Sequence, residues 1–248
     1  SLDINYDGSN FVIGAYREDS NARGINGDPF NTLATDSGAV YIYEVSSNSI
    51  SDPTYVKASN TTASDYFGQS VSISSDGNTI AVGAPRNDTV VYPIPDSPVS
   101  MTDAGSVYIF TRSNVEEQWA QSSYIIRYYY GNNYTDLFGS DLSLSGDGNM
   151  LLISAPGEDS ALANNPTNNS AQESGAAFLY LRSDESWTQK RYIKSTNPEE
   201  QDNFGRGKLS RDGDTIVIGA WLEDSSATGN QGDQSNNDAN SSGAVYTY

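Results

Sequence analysis

The chain has 248 residues and contains neither cysteine nor histidine. Without cysteine it forms no disulfide and offers no thiolate to a metal. Without histidine it lacks the commonest general base and the commonest imidazole ligand. Nucleophile triads that depend on His are unavailable. Paired carboxylates remain as a route to glycoside hydrolysis, but with 32 acidic residues some pair will always lie close, so proximity alone singles none out. No glycine-rich phosphate cradle is present. Basic residues are also scarce: 13 Lys and Arg leave a net charge of −19. That balance argues against nucleic acid and against anionic membrane surfaces, both of which need basic patches. No apolar run approaches the length of a membrane span, so no membrane insertion is expected. No helical period is legible, and no signal peptide is visible, although a sequence beginning within a strand would not show one.

What the chain does have is one sentence written four times. The clearest copy reads Phe67-Gly68-Gln69-Ser70-Val71-Ser72-Ile73-Ser74, then Asp76-Gly77, then Thr79-Ile80-Ala81-Val82-Gly83-Ala84-Pro85, and after a polar loop Gly105-Ser106-Val107-Tyr108-Ile109-Phe110. Phe138-Gly139, Asp147-Gly148, Ser154-Ala155-Pro156 and Ser174-Gly175-Ala176-Ala177-Phe178 repeat it, as do Phe204-Gly205, Asp212-Gly213, Gly219-Ala220 and Ser242-Gly243-Ala244-Val245-Tyr246. The first copy keeps Asp7-Gly8, Gly14-Ala15 and Ser37-Gly38-Ala39-Val40-Tyr41 but lacks Phe-Gly. The Asp-Gly pairs recur 69, 71 and 65 residues apart. A period of that size signals a repeat architecture. The units run over 1–66, 67–137, 138–203 and 204–248, the first and last incomplete.

Each unit reads as strands. Val71 and Ile73 alternate with Ser70, Ser72 and Ser74, the period of a half-buried strand. Asp76-Gly77 predicts a two-residue hairpin with positive φ at both positions. Val107-Tyr108-Ile109-Phe110 is apolar on both faces, as for a strand between sheets. A more polar fourth strand follows a Trp, over 119–127 and 187–194, as an edge strand should. Small residues at Gly-Ala-Pro would let neighbouring units approach closely. Four short antiparallel strands per unit predict an all-β β-propeller with four-stranded blades. A β-solenoid is the competing repeat fold, but its coils are usually shorter and do not need the hairpin.

The pairing of Phe-Gly with Gly-Ala-Pro at this spacing resembles the FG-GAP repeat of integrin α-chain propellers. The stretch Gly14–Tyr43, with Glu18-Asp19-Ser20 and Gly24-Ile25-Asn26-Gly27-Asp28, is similar to the looser version in large secreted or surface-anchored bacterial proteins. The resemblance covers essentially the whole chain. It implies a propeller segment of one domain over 1–248 and an extracellular or cell-surface location. Two departures stand out. Integrin-type repeats often carry a calcium loop between the first two strands, whereas Ser74-Ser75-Asp76-Gly77-Asn78 has no room for the six to eight oxygens such an ion takes. Propellers of the family usually have about seven blades, whereas four copies occur here. A window on a longer propeller is therefore expected; a closed four-bladed ring and closure across molecules are the alternatives.

One acidic position recurs in phase: Asp19, Asp88, Asp159 and Asp224, after Glu in three copies and after Asn87 in the second. Its carboxylate can accept backbone N–H bonds and fix the start of the long loop. It can also join a cation site, because copies one and four have matching loops, Asp19, Asn26, Asp28 and Asp36 against Asp224, Asn230, Asp233 and Asp238. Oxygen ligands of that kind suit Ca²⁺. Copies two and three diverge, through Val90–Pro95 and Asn164–Asn169. The loops between second and third strands, varying on a repeated frame, are where specificity is expected. Val90–Pro95 and the cluster Tyr128-Tyr129-Tyr130 with Tyr134 are candidate contact patches. Sequons stand at Asn60, Asn87, Asn133, Asn168 and Asn240, glycosylation sites only in a secreted, glycosylating context. The functional expectation is a non-enzymatic binding or adhesion module displaying loops to a protein or glycan. The alternatives are a structural subunit of a surface layer or fibre, in which copies of the chain meet, and a carbohydrate-active propeller using carboxylates.

Overall fold

A computed structural model describes residues 1–47, 49–94, 97–127, 135–230 and 232–248, with the backbone alone described for 89–94 and 97–100. The first unit holds β1 (Leu2–Ile4), β2 (Asn10–Ala15), β3 (Ala39–Ser46), β4 (Ser49–Ile50) and β5 (Thr54–Val56). The second holds β6 (Ser70–Ile73), β7 (Thr79–Ala84), β8 (Thr89–Ile94), β9 (Ser97–Met101), β10 (Ser106–Thr111) and β11 (Ala120–Ile126). The third holds β12 (Leu142–Leu144), β13 (Met150–Ala155), β14 (Ala176–Ser183) and β15 (Ser186–Ile193). The fourth holds β16 (Phe204–Leu209), β17 (Ile216–Ala220) and β18 (Ala244–Thr247). The sheets run β1-β2-β3 with β4 and β5 both on β3, β6-β7-β10-β11, β12-β13-β14-β15 and β16-β17-β18, every pairing antiparallel. These are propeller blades. Strands β8 and β9 form a separate hairpin within the second unit.

The blades stack because each sheet is apolar on both faces. In β10, Tyr108 and Phe110 pack with Val12, Val40 and Val56 of the first blade, while Val107 and Ile109 pack with Phe138, Leu142 and Phe178 of the third. The other face of the third blade, through Leu152, Ala177 and Leu179, packs on Phe204, Ile218 and Tyr246. The Phe of each Phe-Gly is the wedge between blades. Phe67, Phe138 and Phe204 are fully buried and meet Tyr108, Phe178 and Tyr246 edge-on, with centroids 5.3–5.6 Å apart. Burial of each ring contributes roughly 1.5–3 kcal/mol.

The glycine and its small neighbours ahead of the third strand, Ser37-Gly38-Ala39, Ala104-Gly105-Ser106 and Ser174-Gly175-Ala176, form the socket for that wedge. Gly38, Gly105 and Gly175 have φ near +80°, and a Cβ there would lie 2.0–2.1 Å from the carbonyl oxygen of the next blade's Phe. The Phe N–H groups donate to Ser37, Ala104 and Ser174 carbonyls at 3.0–3.1 Å, so the two motifs are one interlock. Small residues at Gly-Ala serve the close approach that their size predicts: a Cβ at Gly83 would lie 2.1 Å from the Gly139 carbonyl oxygen.

Two local expectations change. The Asp-Gly hairpin has positive φ at the glycine only. Gly77 N–H closes a four-residue turn onto Ser74 O, and Ser74 N–H bonds Thr79 O, so the loop is longer than two residues. Asp76 serves through its side chain, accepting from Asn78 N–H and Ser74 Oγ, which holds its carboxyl below the usual range although burial opposes it. The alternation in β6 also does not mean one wet face, because all four residues are buried. The strand lies between neighbouring blades, and its hydroxyls, like that of its counterpart β12, stitch them. Ser72 Oγ accepts Leu144 N–H, and Ser143 Oγ accepts Leu209 N–H, each at 3.0 Å.

Candidate functional site

The loops joining second to third strands leave the blades at the end opposite the Asp-Gly turns, as antiparallel alternation requires. Three of them begin with the same triplet: Glu18-Asp19-Ser20, Glu158-Asp159-Ser160 and Glu223-Asp224-Ser225. Each residue of the triplet has a fixed task.

The Asp is a backbone clamp. Asp19 Oδ1 accepts Asp36 N–H at 2.8 Å, Asp88 accepts Asp103 at 2.9 Å, Asp159 accepts Glu173 at 2.8 Å and Asp224 accepts Ser241 at 2.6 Å. The four donating residues all have φ of 51–54°, a left-handed conformation that the clamp holds in place at the loop's return. The Ser is a hub within its loop. Ser20 Oγ donates to Asp28 O and accepts Ala22 N–H, and Ser225 Oγ does the same with Asp233 O and Ala227 N–H. Ser160 Oγ donates to Leu162 and Asn165 carbonyls. An Asn completes the loop from its far side, with Asn31, Asn168 and Asn236 side-chain oxygens accepting Asn21, Ala161 and Ser226 N–H.

The Glu anchors the loop to its blade. Its carbonyl accepts the N–H of Gly38, Gly175 or Gly243 at 2.8 Å. In the first and third blades its carboxylate meets a lysine just past the fourth strand. Lys57 Nζ donates to Glu18 at 2.8 Å and Ser37 Oγ at 2.7 Å, and Lys194 Nζ donates to Glu158 at 3.0 Å and Ser174 Oγ at 2.7 Å. Both lysine side chains are fully buried, and burial pulls their ammonium pKa down against the stabilising carboxylate. The second blade recasts the site. Asn87 replaces Glu and bonds Asp65, Ser106 and Tyr124, while Arg127 stands in the lysine position and pairs with Asp136 and, at 3.6 Å, Glu158.

One recurring acid escapes reading by motif alone. Asp65, Asp136 and Asp202 each stand two residues before Phe-Gly and are each at most 3% exposed. Asp65 accepts Thr62 N–H and Asn87 Nδ2, and Asp202 accepts Glu199 N–H. Burial, with Glu199, Glu223 and Asp224 nearby, raises the Asp202 carboxyl to about 6. The in-phase position was the available signal.

The six acids considered for a cation are distributed as follows. Asp19 and Asp224 clamp backbone N–H groups. Asp28 and Asp233 accept from Phe30 and Ser235 N–H within their own loops. Asp36 offers its carbonyl to Tyr66 N–H, and Asp238 N–H reaches Asn236. Loops one and four do share one geometry, but among the described residues no three acidic side chains converge on a point. Of the sequons, Asn87 is buried, Asn60 accepts the Tyr108 hydroxyl at 2.6 Å, Asn168 is half-buried and Asn240 is exposed. Asn133 and the cluster Tyr128–Tyr130 with Tyr134 lie outside the described residues. The segment Val90–Pro95 is built, up to Ile94, into the hairpin β8–β9.

The interlock of Phe-Gly with the preceding Ser-Gly is the geometry against which sequence comparison is read. Residues 54–110 match the FG-GAP repeat family. This stretch is an FG-GAP repeat. It runs from β5 through the Phe67 wedge to Phe110, so the unit spans one blade junction, and an interlock of the same geometry recurs at Phe138 and Phe204. No curated protein matches the chain. Among solved structures it is similar to a proposed 6-phosphogluconolactonase from Bacteroides fragilis, at 13% identity over 80% of this chain and 39% of that one, TM-score 0.47. Hydrazine synthase from Kuenenia stuttgartiensis is similar at 13% over 88% and 54%, TM-score 0.46. A hypothetical selenium-binding protein from Sulfolobus tokodaii is similar at 9% over 88% and 46%, TM-score 0.47. The chain spans 39–54% of the length of these structures.

Proposed function

We propose that this FG-GAP chain is a non-enzymatic extracellular binding module that displays its inter-strand loops to a protein or glycan. One observation carries the reading. In the second blade the Asp88–Asp103 clamp is kept while everything between is rebuilt as the hairpin β8–β9. A frame held constant under variable content is the arrangement of a binding surface. The net charge of −19 directs the reading away from nucleic acid. Exchange of residues 89–101 for the corresponding loop of the first blade, 20–34, tests it. The expected result is an unchanged melting temperature with lost binding to a panel of immobilised extracellular-matrix proteins and cell-surface glycans. Binding that survives this exchange and the equivalent exchanges in the other blades would overturn the reading.

A surface-layer or fibre subunit is the second reading. Exposed apolar side chains on the outer sheet faces favour it, including Leu2 and Ile4 on β1 and Val217 and Val245 on β17 and β18. Concentration-dependent assembly in sedimentation velocity, abolished by Val245→Asp, is the result it requires.

A further inference from the structure

The loop of the fourth blade copies that of the first bond by bond. Ser20 Oγ and Ser225 Oγ donate to Asp28 O and Asp233 O at 2.7 and 2.9 Å. Ser37 Oγ and Ser242 Oγ donate to the carbonyls of Ser20 and Ser225 at 2.9 and 2.6 Å. Gly24 and Gly229 share a left-handed φ, +70° and +75°. What differs is the strand beside the loop. In the first blade β5 lies along the outer edge of β3, with Val56 opposite Val40 and Tyr55 opposite Tyr41. The loop hooks over it: Lys57 N–H donates to Gly24 O at 2.8 Å, and Asn26 N–H donates to Tyr55 O at 2.7 Å. In the fourth blade β18 pairs with β17 on one side, and among the described residues no strand lies on its other edge. A groove of about 730 Å³ stands there instead, and its walls include Glu223, Gly229, Asn230, Gly243, Val245 and Thr247. Glu223, Gly229, Gly243 and Val245 are the counterparts of Glu18, Gly24, Gly38 and Val40, which surround β5 and its lysine.

A second observation says what the groove takes. Glu223 is 3% exposed. Its carboxylate accepts Ser225 N–H at 3.1 Å and Asn197 Nδ2 at 3.5 Å, and among the described residues no cation pairs with it. A buried carboxylate normally has a counter-charge. Glu18 and Glu158, in the same position, each hold a buried lysine, and that lysine also donates to Ser37 Oγ or Ser174 Oγ. Ser242 is the matching hydroxyl in the fourth blade. The lysine ends a fixed triplet, Tyr55-Val56-Lys57 or Tyr192-Ile193-Lys194. Its tyrosine packs on the third strand, on Tyr41 at 5.4 Å or Phe178 at 5.3 Å, and Tyr246 is the ring in that place on β18. In the second blade Asn87 replaces the glutamate and β11 contains no lysine, so the two residues come and go together.

We propose that the groove along β18 binds an extended strand of a partner polypeptide carrying Tyr, then Val or Ile, then Lys, with the lysine ammonium between Glu223 and Ser242 Oγ. The strand adds to the open edge as an outer strand. Backbone bonds to β18 supply affinity, and the lysine fixes the register, because a slip of one residue would turn its side chain to the other face. The net charge of −19 draws a cationic segment in. The chain's own strands of this form, β5 and β15, are already seated in their blades, so the occupant is another polypeptide. This goes beyond loop display, since a backbone and one lysine are what is recognised, and it stands or falls separately from the hairpin exchange.

The probe is an end-capped, rhodamine-labelled peptide of residues 50–58, Ile50 to Ala58, in which Asp52 and Lys57 cancel in charge. Fluorescence anisotropy against the full chain should show saturable binding below about 1 mM. Lys57→Met in the peptide and Glu223→Gln in the chain should each abolish it in that range, a weakening of about thirtyfold or more. Glu223→Gln removes a buried charge that has no counter-ion, so its melting temperature should not fall, and the peptide variant needs no refolding at all. A peptide of scrambled order should not bind. Absence of binding by the parent peptide would overturn the proposal. Binding indifferent to both Lys57→Met and Glu223→Gln, or matched by the scrambled peptide, would overturn it as well. Self-association of the chain in sedimentation velocity that Glu223→Gln disperses would overturn it in favour of strand exchange between copies.

Discussion

Replacing Gly105 by Ala isolates the interlock that joins one blade to the next. Gly105 has φ +84°, and an added Cβ would lie 2.1 Å from Phe138 O and 2.6 Å from Phe138 N, both backbone atoms. The left-handed conformation itself costs an Ala about 1–2 kcal/mol. An ordinary Cβ···O contact is more than an ångström longer, so Phe138 must retreat and its 3.1 Å bond to Ala104 O must stretch or break. Overpacking of this kind costs roughly 1–3 kcal/mol, and the lost hydrogen bond about 1 kcal/mol more. The total is about 3–6 kcal/mol. Gly24 is the internal control, with φ +70° and nothing within 4 Å of the added Cβ, so Gly24→Ala carries the conformational cost of about 1–2 kcal/mol alone. Urea denaturation followed by tryptophan fluorescence and far-UV circular dichroism reads both. Equal losses in the two variants would refute the reasoning, because the excess at Gly105 is the blade contact.

Three further outcomes are expected. Asp202→Asn should stabilise the protein at pH 7 by up to about 3 kcal/mol. The folded carboxyl titrates near 6 against 3.8 in the unfolded chain, so the folded state binds the extra proton between those values. The penalty is therefore full above pH 6 and fades toward pH 4, and a gain that persisted at pH 4 would contradict the assignment. Lys194→Met should destabilise by less than the about 3–5 kcal/mol of a buried charge left wholly unpaired, because Arg127 and the Tyr192 hydroxyl still reach Glu158. Lys194→Met combined with Glu158→Gln should recover part of that loss in the same denaturation assay. Addition of Ca²⁺ after EDTA treatment should leave the melting temperature unchanged, because Asp19 and Asp224 already hold backbone N–H groups. A rise of several degrees that Asp19→Ala and Asp224→Ala abolish would show that the loops rearrange around the ion.

The candidate site was legible only in outline. The in-phase Asp of each loop announced itself, and the reading that it accepts backbone N–H bonds is what the geometry contains. Lys57 and Lys194 carried no local signal. They lie 39 and 36 residues from their glutamates, and only the pairing of β5 with β3, or β15 with β14, carries them to the same end of the blade as the loop.

By itself the sequence determined the repeat, the strand-rich unit and the close approach of units at Gly-Ala-Pro, because these rest on local period and on residues whose small size has few alternative uses; that Phe-Gly docks into the glycine ahead of the preceding blade's third strand was decided by the tertiary structure. Whether a serine in β6 faced water or a neighbour, which of Asp and Gly takes positive φ in the turn, and whether an acidic side chain holds its own loop or a ligand were decided by the tertiary structure. Each depends on what the adjacent blade or the returning loop brings within hydrogen-bond distance, and a one-dimensional period does not encode that distance.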